Sequence, residues 1–270
     1  RYNGAFRAGL ARLNADGTLN TGFNANQNGL IWSAAAQPDG KIILVGSFSL
    51  VNGTPWNSIV RLNSDGSIDT SFDPGTGADV DPVYVAVQAD GRILIAGTFT
   101  SYNGVSRSGI ARLLSNGSLD ASFNAGTAAD ISALLPLSNG KVLVGGSFTT
   151  FNGIARNRIA RLNVNGTVDT GFITSGVGDG SVSGIHAMPA GKVILTGSFT
   201  TYAGLARNRV VQILTNGGPD TSFDPGTGPD ASVNDVQVAP DGGAMLAGSF
   251  SSYNGTPRNG IVLLLPNGSI

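Results

Sequence analysis

The residue types able to carry out chemistry are few in this sequence. All seventeen acidic residues are Asp, and His186 is the single histidine among 270 residues. Cysteine is absent, which excludes disulfides and thiolate metal sites. With one imidazole and no thiol, a nucleophilic triad or a histidine-rich metal centre is disfavoured. The remaining chemistry is that of carboxylates, guanidinium groups and aromatic rings.

An aromatic residue followed five positions later by an arginine recurs about every fifty residues. Aromatic rings offer flat apolar surface, and the guanidinium group offers a planar fork of donors. The pattern predicts a repeated ligand-binding surface for a glycan or a protein partner. In one unit Trp56 stands at the arginine position. The candidate residues are Trp56, Tyr102, Arg107, Phe151, Arg156, Tyr202, Arg207, Tyr253 and Arg258. The alternative is structural: the ring packs over a nearby Asn-Gly turn, and the arginine braces the next loop.

Two glycine-rich loops concentrate aspartates that could hold a cation. The candidate ligands are Asp73, Asp79, Asp81, Asp224 and Asp230. Oxygen-rich loops of this kind can bind Ca²⁺, but the spacing is not that of an EF-hand. Ordinary solvated turn chemistry is the preferred interpretation. The sequence therefore predicts no cofactor, with calcium as the one metal to test.

An enzyme is the contrasting hypothesis. Glycoside hydrolases need two carboxylates at a set separation, and without Glu both would have to be Asp. Asp81, Asp179 and Asp235 are the least regularly placed aspartates and are the first candidates. We expect His186 to be packed or to line a central channel. We predict a protein that is not an enzyme, with a propeller glycoside hydrolase or related glycan-processing enzyme as the alternative.

The elements that position these residues are internal repeats. Two phenylalanine series keep one period of about fifty residues: Phe48, Phe99, Phe148, Phe199 and Phe250 in the first, and Phe23, Phe72, Phe123, Phe172 and Phe223 in the second. Because two unrelated landmarks share the period, the repeat is structural. We expect both series to pack in the core.

Each repeat predicts a four-stranded antiparallel meander. Asn-Gly and Asp-Gly pairs such as Asp90-Gly91 and Asn116-Gly117 favour tight hairpins between short apolar segments. The second strand, as in Ile42–Val45, is apolar at successive positions, so both of its faces must be covered. Face-to-face stacking of four-stranded sheets provides that cover and is the arrangement of a β-propeller. The aspartates before the second phenylalanine series are expected to pair with strand arginines, as Asp69 with Arg61.

Residues 36–72 contain AQPDGKIILVGSF, then VNG, then IVRLNSDGSIDTSF. This pattern resembles the bacterial delta-60 repeat β-propeller family, and the resemblance extends over essentially the whole chain. It implies an all-β propeller from a large secreted or surface bacterial protein, in a family of unassigned function. The pattern changes late in the chain, where Gln212 and Leu263 replace the strand arginine.

The repeat count leaves the closure of a propeller open. Residues 2–19 align without gaps to residues 253–270, so the chain holds five full periods and a repeated half-blade. We predict one propeller domain over residues 1–270, with five or more blades, or a fragment of a longer protein. Further repeats of the same protein, or another chain, would then complete the ring.

Charge and hydropathy narrow the function classes. The net charge of −1 offers no strong field for nucleic acid, and no run of eighteen apolar residues predicts a membrane span. Together with the resemblance, which implies a secreted or surface bacterial protein, these observations lead us to predict an extracellular or bacterial cell-surface scaffold or adhesion module that is not an enzyme. It would bind a surface glycan or protein partner through its long loops, with carbohydrate as the leading ligand class.

Overall fold

The computed structural model describes residues 2, 4–7, 9–127, 130–172 and 176–270. The chain divides into two compact units, Arg1–Asn124 and Ala125–Ile270. Each unit is built from antiparallel sheets that repeat in order along the chain. The division does not decide whether residues 1–270 form one domain, so that stays a prediction.

The first unit contains two complete repeats, and each repeat has one three-stranded sheet and one two-stranded ribbon. The sheets have the orders β1-β2-β5 and β6-β7-β10, and the ribbons are β3-β4 and β8-β9. The strands are β1 (Leu30–Ala36), β2 (Ile42–Ser47), β3 (Leu50–Val51), β4 (Thr54–Pro55), β5 (Ile59–Leu62), β6 (Pro82–Val87), β7 (Ile93–Gly97), β8 (Ser101–Tyr102), β9 (Val105–Ser106) and β10 (Ile110–Leu113). Before them, a bridge between Leu13 and Leu19 forms the hairpin of the predicted half-repeat.

The second unit contains the third, fourth and fifth repeats with the same organisation. Its strands are β11 (Ile131–Pro136), β12 (Val142–Gly146), β13 (Thr150–Phe151), β14 (Ile154–Ala155), β15 (Ile159–Leu162), β16 (Val182–Ala187), β17 (Val193–Gly197), β18 (Thr201–Tyr202), β19 (Leu205–Ala206), β20 (Val210–Ile213), β21 (Val233–Val238), β22 (Ala244–Gly248), β23 (Ser252–Tyr253), β24 (Thr256–Pro257) and β25 (Ile261–Leu264). One short 3-10 turn covers Pro189–Gly191. None of the helical segments described has the length and hydropathy needed to cross a bilayer.

The predicted fourth strand is shorter than the other three. It is held to the third strand by a single bridge, as between Leu62 and Ile68 or between Leu113 and Leu119. The Gly of the intervening turn has a positive φ, 88° at Gly66 and 94° at Gly117, which explains the Asp-Gly and Asn-Gly pairs. The prediction of repeated, antiparallel, four-stranded sheets in an all-β fold is confirmed.

The core lies between successive sheets within each unit. The second strand is covered on both faces, as predicted: Ile43, Leu44 and Val45 of β2 are each at most 1% exposed. In the second unit, Ile159 of the third repeat belongs to one cluster with Leu195 and Val211 of the fourth. Both phenylalanine series are buried at no more than 5% exposure, which confirms their predicted packing role. Stacked repeats thus supply the apolar cover that a single meander lacks.

Candidate functional site

A recess on the long loops of the first unit lies at Trp56. This residue follows the ribbon β3-β4 directly. With Pro55, Pro74 and three polar residues it borders an open groove of about 340 Å³. The complete lining is Ser49, Pro55, Trp56, Asn57, Asp73, Pro74 and Gly75. Two predicted site residues, Trp56 and Asp73, therefore come together here.

Trp56 is held in place by its backbone and by its ring. Its N–H donates to the Ser49 carbonyl at 2.9 Å, and the half-buried ring packs against the cluster that contains Phe48 and Val51. Among the residues that the structure describes, no partner accepts a hydrogen bond from the buried indole Nε1. The ring is thus a fixed apolar element whose polar atom is unused by the fold.

The polar residues of the groove are fixed by bonds to neighbouring loops. Ser49 donates its N–H to Asn28 Oδ1 at 2.9 Å. The Asn57 side chain donates to the Thr76 carbonyl at 2.9 Å. Asp73 Oδ1 accepts the Gly75 N–H at 2.8 Å. Sequence reasoning missed Ser49, Pro55, Asn57 and Pro74, although Trp56 itself was predicted.

The other predicted aromatic residues are not surface groups. Tyr102, Phe151, Tyr202 and Tyr253 are each 0% exposed. The Tyr202 hydroxyl donates to the Gly217 carbonyl at 2.6 Å, and Tyr102 does the same to Gly117 at 3.1 Å. Burial raises the pKa of both hydroxyls. The prediction that these rings form a ligand surface is therefore wrong, because all four are buried and the tyrosine hydroxyls bond to the turn between the third and fourth strands.

The predicted arginines each form a hydrogen bond within their own loop. In each of them Nη1 donates to the carbonyl of the preceding residue, at 2.7 Å for Arg107, 2.8 Å for Arg156 and Arg207, and 2.9 Å for Arg258. Arg107 is 8% exposed, Arg156 and Arg207 are half-buried, and Arg258 is exposed. Arg107, Arg156 and Arg207 therefore fit the structural alternative, in which the arginine braces a loop. Of the four arginines, only Arg258 is largely open to solvent.

The aspartates proposed for calcium mostly shape loops. Asp79 accepts the N–H groups of Thr100 and Ser101 at 2.8 and 3.0 Å and also the Thr100 hydroxyl. These bonds, led by that of the Thr100 hydroxyl, hold the pKa of Asp79 at about 2. Asp179, treated above as irregular, makes the same contacts to Thr200 and Thr201. Asp179 is therefore a repeated structural residue.

The remaining calcium candidates have similar roles. Asp230 accepts the Ser251 N–H at 2.8 Å, Asp224 accepts the Gly226 N–H at 3.0 Å, and Asp81 accepts a hydrogen bond from the Ser58 hydroxyl. Within the described parts of the chain, no three His or Asp side chains gather as a metal site requires. The prediction of no cofactor, with calcium as the one metal to test, is untested and stays a prediction.

Ion pairs within single repeats account for another set of aspartates. Arg61 Nε donates to Asp69 at 2.7 Å, and Arg161 Nε donates to Asp169 at 2.7 Å, which confirms the predicted pairing. Each guanidinium also lies over a phenylalanine ring of the second series, 4.9 Å from the Phe72 centroid in the first case. Such ion pairs and ring contacts are architectural.

His186 has one charged neighbour that the structure defines. Its Nε2 lies 3.5 Å from Asp235 Oδ1, across the first strands of the fourth and fifth repeats. Burial lowers the pKa of His186, and Asp235 partly opposes that effect. Asp235 itself is largely exposed.

Comparison with solved structures shows the fold alone, since all identities are low. A gluconolactonase from Xanthomonas campestris, XC5397, aligns with a TM-score of 0.52 and 14% identity, over 87% of this chain and 74% of that one. A putative gluconolactonase aligns with a TM-score of 0.50 and 16% identity, over 86% and 74%. The extracellular domain of the putative hybrid two-component system BT4673 from B. thetaiotaomicron aligns at 0.51 and 12% identity, over 86% of this chain and 26% of that one.

No functionally curated protein matches the sequence. The sequence does match the family described as a domain of unknown function (DUF5122) β-propeller, over residues 1–23, 37–72, 88–123, 137–172, 189–223 and 239–270. These segments follow the repeat period and together cover more than half of the chain. A propeller repeat family is thus confirmed, whereas the delta-60 name stays a prediction. The chain belongs to the DUF5122 β-propeller family.

Proposed function

We propose that this protein is a binding scaffold of the bacterial cell surface or extracellular space, not an enzyme, and that it recognises its ligand at the Trp56 groove. One observation carries the proposal. In the first unit, position 56 is Trp where the second repeat has Arg107, and an open groove lies beside it. A scaffold made of copies gains a specific site where one copy departs from the rest.

Carbohydrate is the ligand class that this groove suits best. The fixed indole and the two prolines offer flat apolar surface for a sugar ring. Ser49, Asn57 and Asp73 provide oxygen and nitrogen atoms at the rim for hydroxyl groups. An extracellular location agrees with the propeller in BT4673, which is described as an extracellular domain.

The enzyme alternative is weaker because most of the aspartates with described contacts accept structural hydrogen bonds. A glycosidase acid needs a raised pKa so that it keeps its proton near neutral pH. Every Asp with a resolved shift among the described residues has a lowered pKa, for example about 2 at Asp79 and Asp169. The gluconolactonase activity of the structural neighbours is not evidence for this chain at 14–16% identity.

The test is binding to a panel of neutral and acidic bacterial polysaccharides, measured by calorimetry on the intact chain. Trp56→Ala should weaken binding by about tenfold or more, and Trp56→Arg, which restores the repeat residue, should do the same. Trp32→Ala is the matched control, because Trp32 is 52% exposed and does not line the groove. Absence of binding to any polysaccharide, or equal losses for Trp32→Ala and Trp56→Ala, would refute the proposal.

A further inference from the structure

A second recess lies in the second unit, between the sheets β11-β12-β15 and β16-β17-β20. We name it the inter-repeat pocket. Its volume is about 350 Å³, at the small end of the range for small-molecule sites. Its walls are mainly apolar, formed by Leu137, Leu143, Phe172, Met188, Val193 and Leu214, and Arg161 and Lys192 add positive charge. It shares no residue with the Trp56 groove.

The repeat explains why space exists here. Each lining residue has an equivalent exactly one hundred positions earlier, between the sheets of the first and second repeats. Ala187 stands where that junction has Val87, and Val193 stands where it has Ile93. Both differences remove methyl or methylene groups from the wall. Ten of the fourteen lining residues differ from their equivalents, and these two differences reduce the side-chain volume of the wall.

A difference at position 171, outside the lining, changes the chemistry of the pocket. Arg61 in the first unit uses Nε for Asp69, Nη1 for the Ser115 carbonyl and Nη2 for the Ser71 hydroxyl. Arg161 repeats the first two bonds, to Asp169 and to the Thr215 carbonyl. Position 171 is Gly instead of Ser, so that hydroxyl is missing.

The Nη2 group of Arg161 is consequently a donor that the described contacts do not use. No acceptor for its Nη2 lies among the residues that the structure describes. The Arg161 side chain is 16% exposed, against 8% for Arg61. A guanidinium N–H that is half enclosed by apolar walls gains most from an acceptor that carries charge.

The local charge is also positive. Asp169 Oδ2 receives both Lys141 Nζ and Arg161 Nε, each at 2.7 Å. One carboxylate thus meets two cations, and this cluster carries one net positive charge. Lys192 is balanced by Asp220 at 2.6 Å. An anion in the pocket would therefore meet an uncompensated cation.

We propose that the inter-repeat pocket binds a small organic monocarboxylate. The carboxylate would accept a hydrogen bond from Arg161 Nη2, and the apolar body would lie against Leu143, Phe172 and Val193. This site is independent of the Trp56 groove and takes a different class of ligand. Nothing in its chemistry requires a covalent step.

The test compares acids with their neutral amides on the intact chain, by calorimetry and by chemical-shift changes. Probes are phenylacetate and phenylacetamide, with a second pair of hexanoate and hexanamide. The acids should bind about tenfold more tightly than the amides. If no acid binds at about 10 mM, or if each acid and its amide bind equally, the proposal is wrong.

Two substitutions borrowed from the repeat sharpen the test. Gly171→Ser restores the residue of Ser71, which supplies Arg161 Nη2 with an internal acceptor, and should abolish most of the preference for acid over amide. Ala187→Val restores Val87 and should weaken acid and amide alike by narrowing the pocket. The first unit already carries Ser at position 71 and Val at position 87, so both variants should still fold. Trp56→Ala should leave acid binding unchanged, and an unaltered acid preference in Gly171→Ser would overturn the assignment.

Discussion

Ile159 and Ile261 occupy the same place in the third strand of two repeats of the second unit, yet their surroundings are opposite. Ile159 is 0% exposed and Ile261 is 60% exposed. The second strand shows the same contrast, since Leu143 is 2% exposed and Met245 is 47% exposed. The difference is the neighbour: the sheet of the third repeat is followed by a stacked sheet in this unit, whereas the sheet of the fifth is packed on one face.

The comparison shows that the position in the repeat determines the residue type, whereas the presence of a neighbouring sheet determines how far the side chain is buried. The open face of the fifth repeat is even more apolar than its equivalents, because Leu263, 63% exposed, stands where Arg161 and Gln212 stand. Contiguous apolar faces of this kind mark contact surfaces. The predicted partner, further repeats or another chain, would meet such a face, and this stays a prediction.

The largest effect should come from a ring of the second phenylalanine series. Phe223→Ala should reduce the free energy of unfolding by about 3–5 kcal/mol, because Phe223 is 1% exposed and its removal leaves a cavity. Phe6→Ala is the control, since Phe6 is 67% exposed and should cost less than about 0.5 kcal/mol. Urea denaturation of both variants measures the difference. Similar decreases in the free energy of unfolding of the two variants would contradict the claim that stacking stabilises the fold.

The same contrast holds for carboxylates. Asp69→Ala should cost about 3 kcal/mol, because Arg61 and Lys41 both lose the carboxylate they share at 2.7 and 2.8 Å. Asp90→Ala removes an exposed ion-pair partner 3.5 Å from Arg92 and the acceptor of the Arg92 N–H at 3.1 Å, and should cost about 1 kcal/mol or less. Thermal melts at low and high salt compare the two variants. Equal costs would show that the covered pair is no more important than a surface pair.

A smaller effect is expected on acidification. Burial alone would raise the pKa of Asp169, but hydrogen bonds from Lys141 and Arg161 outweigh it and hold the pKa at about 2. Because this pKa lies below the unfolded value, its contribution to stability is present above about pH 4 and is lost as the pH falls toward about 2. Asp169→Asn should be less stable at neutral pH and should show a shallower loss over that interval. Parallel stability profiles for the two proteins would contradict this assignment.

Much of the fold could be predicted because its signals repeat. The phenylalanine series, the Asp-Gly turns and the Arg61–Asp69 type of pair recur in phase, so each copy supports the others. The direction of Tyr102 could not be predicted, since β8 is only two residues long and provides no alternation of apolar and polar positions. Its burial depends on a turn fifteen residues away.

The candidate sites were visible only as departures from the repeat. Trp56 was predicted as one member of a repeated surface, whereas Gly171 and Ala187 were not predicted, because a missing methyl or hydroxyl group leaves no local pattern. Their consequence depends on side chains from two sheets meeting across an interface. In a chain built of copies, comparison of equivalent positions is therefore the most informative guide to function.

The most direct test of the central claim, that stacked repeats stabilise one another, uses the matched isoleucines. Ile159→Ala and Ile261→Ala remove the same atoms from the same strand position, at 0% and 60% exposure. By urea denaturation, the first should lower the free energy of unfolding by about 2–5 kcal/mol and the second by less than about 1 kcal/mol. Equal losses would contradict the account.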